Sequence, residues 1–107
     1  MERYLFIAQR LTAMVLAPLV LVHLGLILYA VEGGLTAHEI LGRTRGSMFW
    51  GGFYGFFVLA AAIHGPIGLR NILREWTAIK PFAVNLLALG AGLLLLALGM
   101  RAVIAVI

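Results

Sequence analysis

Three stretches without an Asp, Glu, Lys or Arg, residues 11–31, 46–69 and 81–100, constrain this chain more than anything else in its sequence. Each is close to the ~20 residues a helix needs to cross ~30 Å of hydrocarbon. With 64% of 107 residues hydrophobic and only 11% charged, the composition excludes an ordinary soluble domain. The expected architecture is all-α: one integral membrane domain spanning 1–107, with transmembrane helices at about 6–31, 47–73 and 82–106. Ser47 is placed to cap the second helix and Pro81 to open the third, while Gly33 and Gly34 end the first. Residues 35–45 form an exposed connection with room for a helical turn through AHEILGR, and His38 there reads as a solvated histidine. The first span is too long for a signal-peptide core and lacks a convincing cleavage site, so it is expected to be retained.

The net charge of +4 does not point to nucleic acid, because the basic residues lie at membrane boundaries rather than in one patch. They orient the chain instead. Arg3, Arg10, Arg70, Arg74 and Lys80 fall on one side and Arg43, Arg45 and Arg101 on the other, favouring a cytoplasmic N-terminus. With no cysteine, a disulfide framework, a thiolate zinc site and a cluster held by the chain's own thiols are excluded.

Ionisable groups within a bilayer are costly and mark functional candidates, and here they are two imidazoles. At 100° per residue, Gln9, Thr12, Leu16, Leu19, His23 and Ile27 share one stripe of the first helix, which should face a bundle rather than lipid. In the second, Phe57, Ala60, Ala61, His64, Gly68 and Glu75 gather on one side, with small residues around His64 leaving room for something flat and wide. Pro66 frees the carbonyl of Ala62 and can bend the helix beside the imidazole. Gly51, Gly52 and Gly55 permit close helix approach, and Trp50 and Tyr54 suit an interfacial belt.

A buried imidazole either hydrogen-bonds to a neighbouring helix or ligates iron, and bis-histidine haem b is the redox option. One helix cannot ligate both faces of a porphyrin. Measured from Arg10 and Arg70 at 1.5 Å per residue, His23 lies about 20 Å deep and His64 about 9 Å. That mismatch fits two haems at different levels, each taking a second ligand from another subunit.

The stretch QRLTAMVL at 9–16 with its following histidine, and HGPIGLRNILREW at 64–76, resemble the small cytochrome b anchor subunits of succinate dehydrogenase and fumarate reductase. The resemblance covers the three-helix plan and about two thirds of the chain. It implies half of a multi-helix haem-binding bundle in a bacterial inner membrane. Its expected partners are a flavoprotein subunit, an iron–sulfur subunit, a second anchor subunit and membrane lipid. It implies further that His64 binds the haem nearer the catalytic subunits and His23 a distal one, with quinone close by. Some relatives carry an acidic residue followed by tyrosine near the quinone site. Glu75 is followed by Trp76 instead, whose indole donates one hydrogen bond but cannot relay a proton, so Trp76 either touches quinone or anchors the interface. Arg10, Arg70 and Arg74 either pair with haem propionates or serve as interfacial charges. The other readings are a haem-free structural anchor and a homo-oligomeric di-haem cytochrome b serving another dehydrogenase.

Overall fold

The computed structural model describes residues 2–107, which form four helices: α1 (Glu2–Gly33), α2 (Ala37–Thr44), α3 (Met48–Trp76) and α4 (Pro81–Val106). Helices α1, α3 and α4 are each long and apolar enough to span a membrane. The chain is 47 Å long and 23 Å across, matching a bilayer of ~40–45 Å with headgroups. Helix α3 is central, packing on α1 at one side and α4 at the other.

The local signals act as expected. Ser47 accepts a hydrogen bond from Trp50 N and caps α3, while Pro81 occupies the first turn of α4. Gly34 adopts φ +116°, and a side chain there would collide with the Glu39 carboxylate, so the chain must turn at a glycine. Thr36 caps the two-turn α2 by accepting from Glu39 N. The helical turn expected through AHEILGR is α2, and His38 on it is exposed.

Two boundaries extend past expectation. Helix α1 starts at Glu2, not near 6, because its first turn is tied to α3: Glu2 Oε1 lies 2.6 Å from Arg70 Nη2 and 2.9 Å from Arg74 Nη1. Arg70 Nε also donates to Asn85 Oδ1 at 2.9 Å, joining all three spans at one end. Helix α3 continues to Trp76, past 73, until Thr77 turns extended.

Of the glycines expected at close approach only Gly51 has a near neighbour, and others take the helix crossing. Gly52 and Gly55 have nothing within 4 Å and Gly51 meets only Ile107, whereas Gly92 and Gly99 on α4 press against α3. A Cβ on Gly92 would lie 3.0 Å from Pro66 Cγ and 3.4 Å from Ala62 O, so α4 crosses at the carbonyl that Pro66 frees. Val84, Ala88 and Val103 complete the buried face of α4, against Ala60 and Ile67 of α3 in a narrow core. Most large apolar side chains face outward.

At the opposite end α2 closes the bundle. Arg43 donates to Gly34 O at 2.6 Å, Thr44 Oγ1 donates to Val106 O, and Gly46 N donates to Ile107 O at 3.0 Å. The carbonyl of Val106 at the end of α4, and those of Gly34 and Ile107 just beyond α1 and α4, are thereby satisfied.

Candidate functional site

The covered seam of α1 carries Gln9, Thr12, Leu16, Leu19 and His23, as expected, then shifts to Leu26 and Ala30 while Ile27 is 45% exposed. Steps of three and four residues, repeating every seven, describe the seam better than 100° per residue. That is the pattern of helices crossing at about +20°.

His64 and His23 lie at different levels. His64 Nδ1 is 3.2 Å from Thr12 Oγ1 across the α1–α3 crossing. His23 packs edge-on to Tyr54 and Phe57, with ring centroids 6.1 and 5.3 Å away. Thr12 and His23 are separated by eleven residues along α1, and Phe57 and His64 by seven along α3. At 1.5 Å per residue the imidazoles therefore stand about 10–16 Å apart along the bundle. One iron cannot bind both.

Around His64 the chain is tight but open outward. Its Nε2 has no hydrogen-bond partner among the described residues yet is not sealed from the surface. Ala61, Gly65 and Gly68 flank it with little bulk, and a Cβ on Gly68 would sit 3.3 Å from Gln9 Nε2. Gln9 Oε1 is buried without a partner.

His23 instead borders two adjoining cavities. One, of about 330 Å³, lies against Val58, Gly99 and Val103, and the other, of about 710 Å³, reaches Trp50, Tyr29 and Arg43. Tyr54, Ile40 and Thr44 line both, so α2 forms part of their wall. Their size and largely apolar lining suit an organic cofactor, for which sites of ~300–1,000 Å³ are usual.

The family of succinate dehydrogenase/fumarate reductase transmembrane subunits matches residues 2–104. The chain belongs to that family. No curated protein and no solved structure matches it. Membership accounts for three apolar helices with a thin core of their own, since a transmembrane subunit completes its packing within a complex.

The other expected site residues of this transmembrane subunit lie apart from the imidazoles. Arg10 is exposed, its guanidinium 5.6 Å from the Phe6 ring centroid. Arg70 uses Nε, Nη1 and Nη2 on Asn85 and Glu2, which makes it a tie between helices. Glu75 and the 80% exposed Trp76 sit at the end of α3 without a side-chain hydrogen bond among the described residues. No three His, Asp or Glu side chains among the described residues converge as a metal-ion cluster. The residues that sequence reasoning did not single out are Thr12, as the partner of His64, and the Ile40, Arg43 and Thr44 wall beside His23. Thr12 belongs to the inward stripe, but the level at which two helices meet is set by their axial offset, which periodicity does not encode.

Proposed function

We propose that this transmembrane subunit binds haem b and passes electrons between an iron–sulfur subunit and a membrane quinone, with His64 and His23 each supplying one axial ligand to a separate haem. The observation that carries this reading is the pair of membrane imidazoles at two levels, each with ring nitrogen left unbonded among the described residues. The donor set fits. His64 offers an accessible Nε2 beside small residues, and His23 faces cavities with room for a large flat group. Haem b, when bound with two imidazoles, supplies one-electron chemistry without an open coordination site.

The chain's own part is to hold each imidazole at a fixed depth in a low-dielectric surround. The opposing ligand on each iron would come from a second anchor subunit, because His64 and His23 stand at different levels and His38 is exposed on α2. The ion-paired end with Glu2, Arg70 and Arg74 carries the majority of the basic residues, so it lies on the cytoplasmic face, toward the flavoprotein and iron–sulfur subunits. Trp76 and Glu75 mark the same interface, where Trp76 anchors the helix or edges a quinone site.

The test is the dithionite-reduced optical spectrum of the purified complex with a haem count. Two haems b per pair of anchor subunits are expected, alongside a flavoprotein. Absence of any b-type band leaves a haem-free anchor, and recovery without a flavoprotein leaves a cytochrome serving another dehydrogenase.

A further inference from the structure

Thr12 touches His64 in a way that determines which imidazole nitrogen carries the proton. Its hydroxyl has one hydrogen and three oxygen or nitrogen neighbours: Ala8 O at 2.7 Å, Gln9 O at 3.1 Å and His64 Nδ1 at 3.2 Å. The shortest contact has the usual length of an O–H···O bond, and a threonine hydroxyl bonding back to the carbonyl four residues earlier is a standard helix contact. With its hydrogen committed to Ala8 O, the Thr12 oxygen can only accept from His64. Nδ1 is then the N–H, and the lone pair of the ring falls on Nε2, the nitrogen that has no partner.

We propose that Thr12 is a positioning residue that holds His64 as its Nδ1–H tautomer, presenting Nε2 as the ligating atom and making it a stronger donor. This rests on the haem reading of His64 for its redox consequence, but the tautomer itself does not. Partners on the far nitrogen of a ligating histidine fix ring orientation and raise basicity, and losing one costs ~10–100-fold in metal affinity. A stronger donor favours the ferric state. Removing the acceptor therefore raises the midpoint potential of the haem bound by His64 and leaves the haem bound by His23 alone.

The experiment compares Thr12→Val, which keeps the shape and removes the oxygen, with Thr12→Ser, which keeps it, in the intact complex in membranes. Solid-state ¹⁵N spectra of labelled histidine, assigned by loss in His64→Gln, read the protonation and hydrogen bonding of Nδ1, and a redox titration reads each haem. The expected result is protonated Nδ1 in wild type and Thr12→Ser. In Thr12→Val a ring still ligated through Nε2 keeps its Nδ1 proton but loses the acceptor, so the Nδ1 resonance shifts to that of an N–H without a hydrogen bond, the His64-dependent component titrates at higher potential, and haem dissociates from it about 10–100-fold more readily. An unchanged Nδ1 resonance in Thr12→Val overturns the assignment, as does an unchanged potential of a confirmed His64-dependent haem. If no haem depends on His64, the functional reading fails, while the nitrogen spectrum still decides whether Thr12 sets the tautomer.

Discussion

Gly99→Ala should destabilise this protein, although alanine is the better helix former. The new methyl would lie 2.6 Å from Val58 Cγ1, 3.0 Å from Cγ2 and 3.3 Å from Cβ, where carbon atoms prefer about 3.5–4.0 Å. Val58 is β-branched and stiff at χ1, so relief requires α3 and α4 to separate by roughly 1 Å. Overpacking of this kind costs about 1–3 kcal/mol, against about 0.5–1 kcal/mol gained by replacing glycine inside a helix. The net loss is about 1 kcal/mol at the middle of these ranges and at most about 2.5 kcal/mol. Gly90→Ala is the matched control: nothing lies within 4 Å of that position, so only the gain remains. Thermal unfolding of the purified complex in one detergent compares them. Val58 and Gly99 also border the cavity beside His23, so the first substitution should disturb the haem assigned to His23 before that assigned to His64. If Gly99→Ala melts at or above both wild type and Gly90→Ala, the close contact of α3 and α4 at this level is wrong.

Further outcomes follow from the two ends of the bundle. Arg70→Ala should lower the melting temperature more than Arg74→Ala, because the Arg70 side chain is 12% exposed and bonds both Glu2 and Asn85, whereas Arg74 is 45% exposed and bonds Glu2 alone. Equal shifts in a thermal melt would count against Arg70 as the tie among three helices. Gly34→Ala should cost about 1 kcal/mol or more through its left-handed turn and the collision with Glu39, seen as faster proteolysis between α1 and α2. Gln9→Leu should be neutral or stabilising in the chain's own packing, because the buried Gln9 Oε1 has no partner. A clear loss of stability in the whole complex would show that a second subunit supplies its donor.

The hydrocarbon thickness of a bilayer made the three spans legible, since no other setting tolerates uncharged runs of that length. The capping residues Ser47 and Pro81 and the Gly33–Gly34 stop were legible because their roles depend only on local backbone geometry. The inward stripe of α1 was readable as far as His23 and then misread at Ile27, because packed helices follow a seven-residue repeat that selects Leu26. Gly51, Gly52 and Gly55 look like the close-contact glycines, yet only Gly51 meets a neighbour, and Gly92 and Gly99 make the close contacts of α4 with α3. Which glycine meets a neighbour depends on where Pro66 and Val58 fall across the crossing. For the same reason the separate depths of His23 and His64 could be estimated by counting residues, while the contact between Thr12 and His64 could not. The ties of Glu2 to Arg70 and of Thr44 to Val106 span most of the chain and leave no local trace.

The most direct measurement is a redox titration of the optical bands in wild type, His64→Ala and His23→Ala complexes, all confirmed as assembled. Two one-electron components are expected in wild type, with each substitution deleting a different one and leaving the other. A single component abolished by either substitution would contradict imidazoles that stand about 10–16 Å apart along the helices and each serve their own iron.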